Sequence, residues 1–159
     1  MGVLVDLFEE VRLRLDTEKA SGGTITDINS ITVSPKVIIR KDNDYPIINL
    51  WFAPGDESPY CLQRVMVDNM NIAVQLACSY LADDNNRLYN TTSSTGPLYL
   101  FEKVLNVLDK DISGNVNLTF DGKANNLRGY SYAVDHEESV IVFTITINVQ
   151  SKQFVAGSR

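Results

Sequence analysis

Residues 46–52, PIINLWF, leave the backbone few options. Pro46 fixes φ and has no N–H, so it is tolerated at the first position of a strand and not inside a ladder. The residues after it are mostly β-branched or aromatic, as strand residues are. Alternation sends Ile47, Asn49 and Trp51 to one face and Ile48, Leu50 and Phe52 to the other. Both faces are largely apolar, with one asparagine in the middle. Such a strand has to be covered on both sides, by its own helices or by a neighbouring subunit. The turn that feeds it, KDNDYP at 41–46, places Asp42 and Asp44 in polar surroundings.

Two further segments share the two-residue period. In 140–149, Ile141, Phe143, Ile145, Ile147 and Val149 make one apolar face, and Val140, Val142, Thr144, Thr146 and Asn148 make a face that fades from apolar to polar. With RGYSYAVDH before it, across the DHEES turn, this reads as a hairpin. In 60–82 the even positions Met66, Met70, Ile72, Val74, Leu76, Cys78 and Tyr80 are apolar, while Asn69, Asn71, Gln75 and Ser79 are polar. That predicts one long strand, interrupted at Asp68, with a helix over 70–82 as the alternative. NSITVSPKVIIR at 29–40 predicts a strand broken or bulged at Pro35.

Helical spacing appears twice. Leu4, Leu7, Phe8, Val11 and Leu15 form a stripe within 2–19, and SGG at 21–23 ends that helix. Leu98, Phe101, Val104, Leu105, Leu108 and Ile112 form another, with Pro97 in its first turn and Gly114 past its end. The order is helix, three strands, helix, two strands. This predicts a single α+β domain: a mostly antiparallel sheet of about five strands with two amphipathic helices packed on it.

The 159 residues are enough to bury a core without metal or disulfide staples. A net charge of −6 opposes tight, sequence-independent binding to nucleic acid, which needs Lys and Arg to displace counterions. Cys61 and Cys78 are too few and too far apart for a metal knuckle or redox pair, and their apolar surroundings predict small buried hydrophobes. The start, MGVLVDLFEEVRL, lacks a basic region ahead of a long apolar run, and Asp6 stands where a myristoylation motif needs Ser or Thr. No apolar stretch is long enough for a membrane-spanning helix. The NTT at Asn90 and NLT at Asn117 are read as chance matches to a glycosylation acceptor.

Chemistry-bearing patterns are sparse. His136, the one histidine, lies in an acidic hairpin tip with no recognisable nucleophile partner. Asp109–Phe120 imitates a calcium loop at Asp109, Asp111, Ser113 and Gly114, but Phe120 occupies the place of the bidentate glutamate. The 14-residue polar loop at 83–96 opens with the acid pair Asp83 and Asp84, followed by Asn85 and Asn86. No phosphate-cradling glycine motif, nucleophile elbow or basic aromatic stripe is present. The expectation is therefore a building block without cofactor or metal. A small enzyme built around His136 and a secreted binding module with a Cys61–Cys78 disulfide are the competing classes.

The succession of an amphipathic helix, the DYPIINLWF strand, a long alternating strand, a polar loop, the LYLFEKVLNVLDKDI helix and a hairpin ending in VIVFTITINVQ resembles the tail terminator (tail-completion, tail-to-head joining) proteins of long-tailed bacteriophages. The resemblance implies a homo-oligomeric ring, typically a hexamer, that caps the tail-tube protein and docks on the head connector or head-completion protein. It implies no catalytic residues, no membrane, and DNA that passes through the lumen without specific binding. Head-completion and tail-tube proteins are similar in size. Under this resemblance Asp42, Asp44, Asp83, Asp84, Asn85 and Asn86 are the candidates for lumen or partner-contact loops. An acidic lumen would keep DNA from adhering, and charge reversal at Asp83 and Asp84 would then impair assembly or ejection without unfolding the protein.

Overall fold

The computed structural model describes residues 3–35, 44–53, 69–80, 96–108, 118–119 and 127–151. The chain runs α1 (Val3–Lys19), β1 (Ser30–Val33), β2 (Ile47–Phe52), β3 (Asn69–Ser79), α2 (Pro97–Leu108), β4 (Leu118–Thr119), β5 (Leu127–Asp135) and β6 (Val140–Ser151). The strands form one sheet in the order β1-β2-β3-β6, and both β5 and the two-residue β4 pair with the far edge of β6. β1 is parallel to β2, and the other pairs described are antiparallel. The fold is α+β, as the patterns predict, with β4 added to the five expected strands.

Each strand puts its apolar alternate on the same face. Ile48 and Leu50 of β2, Ile72, Val74, Leu76 and Cys78 of β3, and Ile141, Phe143, Ile145 and Ile147 of β6 are buried together with Phe8, Val11 and Leu15 of α1 and Leu100, Phe101, Val104, Val107 and Leu108 of α2. Both helices therefore lie over one face of the sheet. Burying each large aliphatic side chain in this layer is worth roughly 1.5–3 kcal/mol. The strand reading of the long alternating segment holds for Asn69–Ser79, and the helix alternative falls. A helix there would have scattered Ile72, Val74, Leu76 and Cys78 around its axis. As a strand they share the core face. Residues 60–68 lie outside the described residues.

The helices begin and end where local chemistry directs. Gly96 precedes α2, its carbonyl accepts the Leu100 N–H at 3.1 Å, and Pro97 occupies the first helical position, where a missing N–H costs nothing. The stripe of α2 differs from the expected one. Leu98 is 38% exposed, and the buried set is Pro97, Leu100, Phe101, Val104, Val107 and Leu108. Glu102, Lys103 and Asn106 mark the polar side of the helix, and Leu98 lies at one margin of the broad apolar arc opposite, so contact with β3 and β6 decides which margin of that arc is buried. α1 gives way to a turn containing Gly22 at φ 91°.

The other face of the sheet is built differently. Ala77, Val140 and Val142 are buried there, packed by Tyr45 and Ile47. Trp51, assigned to that face by alternation, instead joins Phe8 and Phe52: its ring centroid is 6.1 Å from Phe8 and 5.0 Å from Phe52. Aromatic contacts of this kind add stabilisation beyond area burial, and Trp51 sits next to the last residue of β2, where its ring can turn towards them.

Candidate functional site

β5 sets the character of one edge of the sheet. Eight of its nine residues pair with β6 through one side, with a register shift between Leu127 and Gly129, and among the described residues no strand pairs with its outer side. Tyr130 and Tyr132 stand opposite Ile145 and Phe143, on the helix-covered face. Neither is covered: they are 67% and 68% exposed, although the Tyr130 ring edge meets Phe101 at 5.3 Å. The helix layer ends at β6, whose Phe143 stacks on Phe101 at 4.4 Å, and β5 projects past it. Gly129, Ser131 and Ala133, on the opposite face, are also exposed.

The opposite edge of the sheet is β1. On the helix-covered face Val33 is 40% exposed and Ile31 half-buried; Thr32 is exposed on the other. The registers align β1 with β5 through the three strands between them. Thr32, Asn49, Gln75, Thr144 and Ser131 form one row across the sheet, and Val33, Leu50, Val74, Ile145 and Tyr130 form the next. The first row is uncharged and polar. At its β1 end it is tightly bonded: Asn49 Oδ1 accepts from Thr32 Oγ1 at 2.9 Å and Ser34 Oγ at 2.8 Å, while Asn49 Nδ2 donates to the Ser34 carbonyl at 2.9 Å and Gln75 Oε1 at 3.2 Å. Asn49 is fully buried, so the asparagine inside the apolar run is a satisfied buried amide.

The hairpin tip that carries His136 is solvent-exposed. His136 Nδ1 lies 3.4 Å from the Tyr80 hydroxyl, and Asp135 Oδ1 accepts the Glu138 N–H at 2.9 Å, closing the turn. Ser139 adopts φ 56°, and its carbonyl accepts the Tyr80 N–H at 2.9 Å. A cleft of about 200 Å³ opens near this end of β3, between Asp27, Tyr45, Pro46, Cys78, Ser79 and the start of α2. Cys78 is a free thiol at its wall, and burial pushes its pKa up to about 12, which makes it a poor nucleophile. Among the described residues no group of His, Cys, Asp or Glu is arranged to hold a metal ion.

The sequence matches no protein-family model and no curated protein.

Of the acidic and amide loop candidates, Asp44 is described. It is exposed, and Asn29 binds the strand entry beside it: Asn29 Nδ2 donates to the Asp44 carbonyl at 3.0 Å and the Tyr45 carbonyl at 2.8 Å, and the Asn29 N–H donates to the Pro46 carbonyl at 2.8 Å. Asp42, Asp83, Asp84, Asn85 and Asn86 lie outside the described residues, as do Cys61, Asn90, Asn117 and most of the calcium-loop imitation. Sequence reasoning did not single out Tyr130 and Tyr132. The available signal was a β-rich segment whose two large side chains share one face. No helix among the described residues is long and apolar enough to cross a membrane.

Proposed function

We propose that this chain is a structural subunit of a ring at the head–tail junction of a long-tailed bacteriophage, where it ends growth of the tail tube and joins the tail to the head connector. One observation carries the reading: β5 offers a long sheet edge that no strand pairs among the described residues, with two bare tyrosines and no charge between Gly129 and Val134. Chains that live alone blunt such edges with charge, proline or a covering element, because an open edge recruits another strand. A subunit that assembles with its own kind keeps the edge available. The succession of elements, which resembles the tail terminators, supplies the kind of assembly. The subunit acts by shape and contact, without cofactor, and resides in the host cytoplasm during assembly and in the virion neck or tail afterwards. Its partners are its own copies, the tail-tube protein and the head-connector or head-completion protein, with DNA passing through the lumen. The net charge of −6 accords with a lumen to which DNA does not adhere.

The test is the mass of the purified chain by light scattering across concentration, with the same samples viewed in negative stain. Closed rings of about six subunits that cap tail tubes are the expected result. Rings that stack into tubes or bind only the connector would move the subunit elsewhere in the neck or tail. A chain that stays monomeric at every concentration and fails to cap tubes removes the reading.

A further inference from the structure

The two edges of the sheet are complementary to one another. β1 and β2 point one way, β3 the other, β6 with β2, and β5 against it, so the two outer strands are antiparallel. A second copy rotated about an axis along the strands keeps its helices on the same side and lays its β1 antiparallel to the first copy's β5. The rows across the sheet fix the register. Ser30, Ile31, Thr32 and Val33 occupy the same four rows as Ala133, Tyr132, Ser131 and Tyr130. Continuing those rows into the next copy sets Val33 opposite Tyr130, Ile31 opposite Tyr132, and Thr32 opposite Ser131. Faces agree at each position: on the helix side Ile31 and Val33 meet Tyr132 and Tyr130, and on the other the Thr32 and Ser131 hydroxyls meet while Ser30 stands opposite the small Ala133. None of the eight residues is charged, so no like-charge pair opposes the contact.

We propose that β5 of one subunit pairs antiparallel with β1 of the next, head to tail, in the register that sets Ser30 opposite Ala133 and Val33 opposite Tyr130, making the sheet continuous around the assembly. This inference rests on the ring reading above and names its contact. Area decides for a closed assembly over a free pair. Covering a tyrosine that is two-thirds bare removes on the order of 100–150 Å², and a standard stable interface takes about 800 Å² from each partner. Four paired rows with two tyrosines fall short of that. A heterologous contact that closes on itself is made twice by every subunit, which stabilises the ring where a single contact does not hold a dimer. Assembly therefore passes from monomer to ring with little dimer between.

Cysteines placed at directly opposed small residues read the register. Ser30→Cys and Ala133→Cys variants, prepared separately and mixed under mild oxidation, are expected to form a covalent dimer that neither forms alone and that the wild type does not form. The double variant Ser30→Cys/Ala133→Cys is expected to give a ladder that ends at the closed ring. Tyr132→Lys is expected to raise the concentration needed for half-assembly at least tenfold. Rings seen by light scattering with no cross-link in the mixture overturn the edge pairing and leave the ring reading standing. Dimers from Ala133→Cys alone overturn it in favour of a two-fold β5 contact. A wild-type chain that remains monomeric at all concentrations, with no cross-link in the mixture of the two cysteine variants, removes both.

Discussion

Asn49 and Gln75 face each other directly across β2 and β3, with Asn49 Nδ2 donating to Gln75 Oε1 at 3.2 Å. The pair joins the deepest polar group of the sheet to the hydroxyls of Thr32 and Ser34 on its far side. Asn49 itself has no exposed surface, whereas its partners Thr32, Ser34 and Gln75 lie at or near solvent. Asn49→Ala should lower the unfolding free energy by about 1–3 kcal/mol, since the hydrogen bonds made by the buried amide are lost and a small cavity forms in its place. Gln75→Ala should cost less, because Gln75 is half-buried and water can replace it. A chemical-denaturation double-mutant cycle checks both, with a coupling of about 0.5–1.5 kcal/mol expected for the pair. Equal costs for the two single variants would contradict the account.

Much of this frame was legible in the sequence because period two and period 3.6 are strong signals where apolar residues are long and regular. The alternation in 140–149 predicts the core face of β6, and it holds at Ile141, Phe143, Ile145 and Ile147. The asparagine network was not legible, because its members lie 15 to 26 residues from Asn49 and meet through strand pairing. The parallel partnership of β1 with β2 was hidden for a related reason: a four-residue strand carries too little pattern to name its neighbour. Leu98 was misplaced because it sits at the margin of the broad apolar arc of α2, where tertiary contact decides which edge is covered. For the candidate site, the acidic turns stood out by composition. Tyr130 and Tyr132 became notable only when the helix layer stopped short of β5.

Gly23 admits no side chain. A Cβ built there would sit 2.0 Å from the Glu18 carbonyl oxygen, which also accepts the Ile25 N–H at 3.0 Å. The obstacle is backbone at the end of α1, so relief requires moving the helix end or breaking that bond. Gly23→Ala should cost about 2–4 kcal/mol by the overpacking mechanism. Gly22 has open space around it but sits at φ 91°, so Gly22→Ala should cost only about 1–2 kcal/mol of backbone strain. Thermal unfolding of the two variants should rank them in that order.

The Glu9–Arg12–Asp16 group on α1 should contribute little. Arg12 bonds Glu9 through two nitrogens and Asp16 through a third, all with side chains partly open to solvent. The Arg12 hydrogen bond holds the Glu9 carboxyl below its ordinary value of 4.5, with burial opposing and the guanidinium charge adding to it. A lowered folded-state pKa means stability present above about 4.5 and lost as pH falls through the folded value. Solvent screening keeps the sum small, so Arg12→Ala should cost less than about 1 kcal/mol at pH 7 and about nothing at pH 2 or in 1 M salt. Denaturation curves under those three conditions decide it.

Cys78 gives the protein an alkaline limit that a Cys78→Ala variant does not share. Burial alone raises its thiol pKa from 9.0 to about 12, so the folded chain keeps a proton that the unfolded chain releases. Below pH 9.0 both states are protonated and the group adds no pH dependence. Above that value the unfolded state binds fewer protons, so the unfolding free energy falls by about 1.4 kcal/mol for each pH unit until the folded pKa is reached. Cys78→Ala removes this slope and leaves a constant penalty of about 1–2 kcal/mol for the small cavity. The difference between wild type and variant should therefore be flat from pH 7 to 8.5, shrink above pH 9, and change sign near pH 10. Tyrosine and lysine titrations are common to both proteins and cancel. A difference that stays flat to pH 11 would mean that the Cys78 thiolate is accommodated in the folded core, by local opening of the cleft between β3 and the start of α2.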